Sequence, residues 1–285
     1  MKNIGLYLHI PFCNSKCPYC DFYSFSGKDT EKEEYTKILK DRILRISNLQ
    51  CKGDTLYIGG GTPSVLGAEN LKTLVDTCKN DFLTDDAEIT VECNPHGLNE
   101  DFFKTLYDCG VNRISMGLQS AVDNERRMLG RLSDRNQVEN AVKMAQRVGF
   151  ENITLDVMLG IPNQTEKSLN ETLDFCISLG VPHISAYMLK LEENTHFYKN
   201  QEKYNFPDDD LTADLYLQMC ETLHSNGIMQ YEISNFSKNG FESRHNLKYW
   251  HCEEYLGLGP SAHSFLDGKR FYFDRDFNAF MNGNS

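Results

Sequence analysis

An α/β fold of repeated strand–helix units is what the sequence predicts, and three observations predict it. Short apolar, β-branched runs alternate with longer amphipathic stretches, as expected of βα units around a parallel sheet or barrel. The alternation recurs six times before the chain changes character. The Gly and polar residues that interrupt the apolar pattern fall just after the strand runs, at the carboxyl ends where parallel α/β architectures carry their chemistry.

The elements follow in order. IGLYLHI (4–10), TLYIG (55–59), EITVEC (88–93), RISMGL (113–118), ITLDVML (153–159) and HISAYML (183–189) are rich in β-branched and aromatic residues and too short for a helix, so they read as strands. Between them, 32–46, 68–80, 100–109, 135–148 and 166–179 carry apolar residues at helical spacing, and a sixth helix is predicted over 209–226. The polar stretch NQEKYNFPDDD reads as a connection with a helix start after Pro207. YEISNF (231–236) follows, and then a segment dense in aromatics, Gly and His. The boundary falls between about residues 201 and 231, giving a core over 1–220 and the start of a C-terminal region over 221–285.

Composition narrows the function. The 285 residues hold 29 Lys and Arg against 41 Asp and Glu, a formal net charge of −12, with 40% apolar and 25% charged residues. These values fit a globular core and exclude a disordered tail. The acidic balance argues against a nucleic-acid partner, which needs clustered cations. No run approaches the ~18–20 apolar residues of a membrane-spanning helix, so a cytoplasmic protein is expected, with peripheral membrane association left open. Ten cysteines are too few for a disulfide scaffold.

Three of the ten, Cys13, Cys17 and Cys20, lie within eight positions after the first strand in HIPFCNSKCPYCDF, spaced C-x3-C-x2-C. Three thiolates on one tight loop can each take one iron of a 4Fe-4S cube, leaving the fourth iron open to a substrate. A tetrahedral zinc site normally wants a fourth ligand nearby, and Asp21, Phe22 and Tyr23 follow instead. His9 leaves a mixed three-Cys, one-His zinc site formally open. The other seven cysteines (Cys51, Cys78, Cys93, Cys109, Cys176, Cys220 and Cys252) have no metal spacing and read as small buried side chains. Met116, Met144 and Met158 read as core filling.

A C-x3-C-x-aromatic-C loop after a strand resembles the signature of radical S-adenosylmethionine (SAM) proteins. The resemblance implies a partial (β/α)6 barrel of TIM-like type. It implies Cys13, Cys17 and Cys20 as ligands of a 4Fe-4S cluster whose open iron is chelated by SAM, with Tyr19 near the adenine. In that family reductive cleavage of SAM yields methionine and a 5′-deoxyadenosyl radical. The turn GGGTP resembles the family motif that holds the amino end of SAM, which implicates Gly60, Gly61 and Thr62. By itself it is only a Gly-rich turn whose backbone a ligand can approach closely.

Glu92 in VECNP can accept hydrogen bonds from a ribose or an ammonium. Arg131 suits a carboxylate through its planar fork of donors. With Gln119 in SMGLQS, Asp156 in LDVMLGIP and Tyr7, these positions resemble the SAM-binding set of the oxygen-independent coproporphyrinogen dehydrogenase family and its relatives, over residues 7 to about 189. That family has a dehydrogenase branch and a haem chaperone branch. The dehydrogenase pattern has a further Cys where this chain has Phe22, and an extension before the cysteine loop where this chain starts its first strand at about Ile4. The segment HNLKYW (245–250) resembles the HNxxYW motif of the chaperone branch, implicating His245 as an axial ligand to haem, with Tyr249 and Trp250 as flat apolar area. His251, Cys252 and His263 are alternatives outside the motif.

The resemblance thus implies a radical SAM haem chaperone carrying a 4Fe-4S cluster, SAM and haem as cargo. Haem-requiring recipient proteins and an electron donor such as flavodoxin or ferredoxin would be its partners, and SAM cleavage would act as a switch. The alternative is an oxygen-independent coproporphyrinogen III oxidase of porphyrin biosynthesis, or a radical SAM enzyme with another small substrate. Family members usually continue beyond the point where this chain stops at FNAFMNGNS, which leaves open a truncated chain with an incomplete haem surface.

Overall fold

The computed structural model describes residues 2–46 and 49–283. Six parallel strands form its centre in chain order: β1 (Lys2–Ile10), β2 (Cys51–Gly60), β3 (Leu83–Cys93), β4 (Arg113–Gln119), β5 (Asn152–Leu159) and β6 (His183–Met188). The crossovers carry α1 (Asp29–Ile46), α2 (Ala68–Asp81), α3 (Glu100–Asp108), α4 (Asp123–Met128), α5 (Arg135–Val148) and α6 (Glu166–Ser178). After β6 come α7 (His196–Lys199) and α8 (Asp209–Ser225), and short 3-10 turns lie at Pro63–Leu66 and Gln201–Lys203. The sheet is not closed, so the partial (β/α)6 barrel expected from the sequence is the fold observed.

Caps set the helix starts. Asn99, Asp134, Thr165 and Asp208 each accept a backbone N–H of the first turn, and Asp134 and Thr165 do so within reciprocal capping boxes. At its other end α5 stops on Gly149 in the left-handed conformation.

The two faces of the sheet differ in kind. One side of each strand, including Leu6, Leu8, Leu56, Ile58, Val91, Ile114, Met116, Leu155, Val157 and Ile184, is sealed under the helices and forms the core. The alternate residues on the concave side are largely polar, and they bond across the strands: Arg113 Nη2 donates to Thr154 Oγ1 (2.7 Å), Ser115 Oγ to Asp156 (3.1 Å) and Tyr57 Oη to Glu92 (2.8 Å). Burial of polar groups at this depth requires such pairing.

The segment after residue 220 extends this sheet at both edges. β8 (Asn235–Ser237) adds antiparallel to β6 and β7 (Met229–Gln230) antiparallel to β8, while β9 (Tyr255–Leu258) runs parallel to β1, followed by the antiparallel hairpin β10 (His263–Leu266) and β11 (Lys269–Tyr272). α9 (Arg244–Trp250) lies between these additions and α10 (Phe277–Met281) follows them. Residues 284–285 of the expected C-terminal region lie outside the described residues.

The structure differs from the sequence reading in detail. β2 and β3 begin four and five residues earlier than the apolar runs suggest, because Cys51 and Lys52 pair with Lys2 and Asn3 of β1, and Leu83 pairs with Gly53 ahead of an irregularity that carries the exposed Asp85 and Asp86. YEISNF carries the start of one short strand. Only Asn235–Ser237 pairs, since Tyr231 turns its hydroxyl inward to His183 Nε2 (2.8 Å) and to the Ser243 N–H (3.1 Å). α4 and α7 are six and four residues long, too short to show helical periodicity.

Candidate functional site

β1 runs out of the sheet into a loop whose stem is pinned by Phe25 N–H to Pro11 O (2.9 Å) and Cys13 N–H to Phe25 O (2.9 Å). An aromatic cluster of Phe12, Phe25, Tyr35 and Phe277 holds this stem from behind. Cys13, Cys17 and Cys20 project from the loop, with Cys20 N–H bonded to Cys17 O (3.1 Å).

The glycine turn after β2 docks onto the same stem. Gly61 N–H donates to Ile10 O and Thr62 N–H to Phe12 O, both at 2.8 Å, bringing Thr62 Oγ1 to 3.2 Å from Cys13 Sγ. Glycine is required here. Gly60 has φ +113°, and a Cβ on it would sit 2.6 Å from the His9 ring; a Cβ on Gly61 would sit 2.6 Å from the carbonyl oxygen of Phe12.

The carboxyl ends of β3 to β5 supply the opposite wall. Glu92 accepts from Tyr57 Oη and from the Gly60 N–H (3.2 Å). Burial, and then the nearby Asp156, push its carboxyl up to about 7. Asp156 is itself pushed up to about 6 by burial, against the hydrogen bond from Ser115. The turn after α4 delivers Arg131, whose Nη2 donates to Gly117 O (2.8 Å) and whose Nη1 lies 4.0 Å from Cys17 Sγ. Its buried Nε has no protein partner, an orphaned donor beside the thiols. Gln119 ends β4 with φ +68°, backbone strain kept at the mouth of this pocket.

These groups enclose one cavity of about 500 Å³. Eleven of the thirteen residues singled out from the sequence line it: Cys13, Cys17, Cys20, Tyr19, Gly60, Gly61, Thr62, Glu92, Gln119, Arg131 and Asp156. Two do not. Tyr7 stands one strand over, its hydroxyl 3.1 Å from His9 Nδ1 and its ring against Tyr57. His245 is 1% exposed on the far side of the Tyr57 ring, with Nδ1 bonded to Thr55 Oγ1 and Nε2 to Tyr249 Oη, both at 2.8 Å. The expectation of His245 as haem ligand therefore meets a buried imidazole with both nitrogens engaged.

The sequence reading missed Tyr57, Ser115, Gly117, Asn94, Tyr187 and Arg275, which also line the cavity, and took Met158 for core filling alone although it touches the cavity. A signal existed for three of them. Tyr57 precedes Gly59 by two, and Ser115 and Gly117 alternate with Ile114, Met116 and Leu118, so each shares a face with a residue already suspected. Of the remaining cysteines, Cys78, Cys93, Cys109 and Cys176 are buried as expected, Cys51 and Cys220 are half-buried, and Cys252 is exposed.

Among the described residues no group of three or more His, Cys, Asp or Glu closes on a single-ion point. A cube takes each thiolate on a separate iron, so three thiols around a shared opening suit it without converging. Two carboxyls, an arginine with a spare donor and exposed turn backbone beside the thiols fit a ligand that combines a cationic centre, a diol, an ammonium and a carboxylate. The residues present thus fit both groups.

A family model described as the Radical SAM superfamily matches residues 7–176. The haem chaperone HemW of Bacillus subtilis is 38% identical over 270 residues, spanning 93% of this chain and 71% of its own length. HemW of Haemophilus influenzae is 39% identical over 271 residues, 92% of this chain and 70% of its own. Among solved structures, the coproporphyrinogen III oxidase HemN of Escherichia coli superposes with a TM-score of 0.86 at 22% identity, over 99% of this chain and 69% of its own, a likeness of fold.

Proposed function

The chain belongs to the radical SAM superfamily and, within it, to the family of the HemW haem chaperones, and on that premise we propose that it binds haem and passes it to haem-requiring proteins. One observation carries the reading: identity to chaperones of that name extends over nine-tenths of the chain rather than over the cysteine loop alone.

Superfamily membership implies a 4Fe-4S cluster and SAM. In the proposed assignment Cys13, Cys17 and Cys20 hold the cluster and Tyr19 borders the adenine. Gly60, Gly61 and Thr62 offer backbone groups to the amino end of SAM, Arg131 meets its carboxylate with the free Nε, and Glu92 and Asp156 face the diol and the sulfonium. When bound, such a cluster supplies an electron to the SAM on its open iron. The chain's own contribution is positional. Tyr57 and the Gly60 N–H orient Glu92, Ser115 orients Asp156, and the Gly117 carbonyl orients Arg131. An electron donor of the flavodoxin or ferredoxin kind completes the proposal. No helix among the described residues is long and apolar enough to cross a membrane.

The test is a transfer assay. Anaerobically reconstituted, haem-loaded protein is mixed with an apo-haemoprotein, and in parallel the haem-free protein is given coproporphyrinogen III and SAM. Haem movement without protoporphyrinogen is the expected pair of results; stoichiometric protoporphyrinogen formation would overturn the chaperone reading.

A further inference from the structure

With both nitrogens of His245 committed inside the fold, the haem iron needs a different imidazole. We propose that His263 on β10 is that ligand, and that the concave face of the β9–β11 arm, with Tyr272, Arg270 and Arg275, is the haem-binding surface. The inference rests on the haem reading above and gives it a location.

Strand register places these residues. Gly257 of β9 pairs with Tyr7 of β1, and Tyr255 with Gly5, so both face the concave side of the sheet. Phe265 pairs with Tyr255, and His263, two residues earlier, lies on the same face. Across the hairpin, Tyr272 pairs with His263 and Arg270 with Phe265. The outcome is an exposed imidazole whose ring centroid lies 5.2 Å from that of Tyr272, which is 63% exposed.

The chemistry of this face fits haem in three respects. Among the described residues no side-chain hydrogen bond to His263 competes with iron as those of His245 do, and partial burial, then the charges of Arg270 and Arg275, lower its pKa and favour the neutral, ligating form. Tyr272 and Phe265 offer aromatic area to a flat macrocycle. Arg270 and Arg275 are fork-shaped cations suited to propionate carboxylates on a chain whose net charge is otherwise −12. Arg275 also pairs with Asp21 (3.2 Å) of the cysteine loop and lines the cavity, so a propionate drawn to it would sit at the lip of the proposed SAM site. By contrast, exposed His251 faces the Glu253 carboxylate at 3.6 Å, which would repel a propionate.

Haemin titration into the reconstituted protein, followed by difference spectra, tests the assignment. Wild type should shift the Soret band. H263A should lose the histidine-ligated spectrum and weaken binding at least as much as the about tenfold loss that follows removal of a mere supporting partner of a metal ligand. Added imidazole should restore the H263A spectrum. R270A should weaken binding without changing the ligation spectrum. Because His263 is exposed, circular dichroism of H263A should match wild type. A wild-type protein that leaves the Soret band unmoved overturns the haem reading and this inference with it; haem binding that H263A retains in full overturns the inference alone.

Discussion

At the scale of single residues, Glu92 shows how burial prepares a side chain for a ligand. Its carboxyl is pushed from 4.5 to about 7 by burial and Asp156, while Tyr57 and the Gly60 N–H pull the other way. The folded chain therefore keeps a proton on Glu92 that the unfolded chain has released, so this group costs stability as pH rises from about 4.5 to 7, and the cost stays constant above that. Thermal melts of the cofactor-free protein should show wild type losing stability relative to E92Q across that interval. Parallel pH profiles of wild type and variant would contradict this. Ionised Glu92 is the better acceptor for a diol, so SAM affinity should rise through the same interval. Y57F, which removes a bond favouring the ionised form, should move the rise to higher pH in calorimetric titrations. Glu92 and Asp156 were legible because a charged group late in a strand breaks an apolar pattern, and Arg131, in the turn after α4, was legible only through the family resemblance. Tyr57 and Ser115 showed only through strand alternation, which places them on the face of the suspected positions, whereas an inward Tyr or Ser does not itself break the strand pattern as a charge does.

At the scale of elements, α9 shows what holds the histidine of the HNLKYW motif inside the fold. Its first two N–H groups, from Arg244 and His245, donate to the Glu88 carboxylate (both 3.0 Å), and Lys248 reaches Asp54 (2.9 Å), so the helix is fastened to the concave side of β2 and β3. His245 is one of its bolts, and burial lowers the pKa of its ring to about 3. H245A should cost about 2–4 kcal/mol in chemical denaturation, the range for a buried side chain removed together with its hydrogen bonds. H263A, at an exposed site, should stay within about 0.5 kcal/mol of wild type. Equal costs would contradict the assignment of His245 to the interior. Because the imidazole is held neutral inside and is free to protonate once unfolded, its contribution is lost as pH falls below about 6.5. The long helices were readable, since 13 to 18 residues carry several turns of periodicity. The course of 231–254 was not, because the partners of Tyr231, Glu88 and Thr55 lie far away in sequence.

At the scale of the whole molecule, one open sheet places three kinds of chemistry on one concave side: thiols on the loop after β1, carboxyls and an arginine on β3 to β5 and the turn after α4, and an imidazole with arginines on and just after the added hairpin. The sequence announced the first two, because βα rhythm predicts that strand ends converge even when their order in space is unknown. It could not announce the third, since only the pairing of β9 with β1 carries the C-terminal hairpin to the same side as the cavity. SAM should raise the melting temperature of the cluster-loaded protein, by an amount equivalent to about 2.7 kcal/mol at a hundredfold excess over Kd. Without the cluster, where the proposed chelation is lost, the shift should shrink.

The central claim is that Cys13, Cys17 and Cys20 hold an iron cube whose open corner faces the cavity. Iron and sulfide analysis after anaerobic reconstitution, combined with electron paramagnetic resonance of the reduced protein with and without SAM, tests it most directly. Wild type and C51A should each take up about four iron and four sulfide per chain and give a signal that SAM perturbs, whereas C13A, C17A and C20A should not. A cluster retained by those three variants, or a wild-type signal indifferent to SAM, would contradict it.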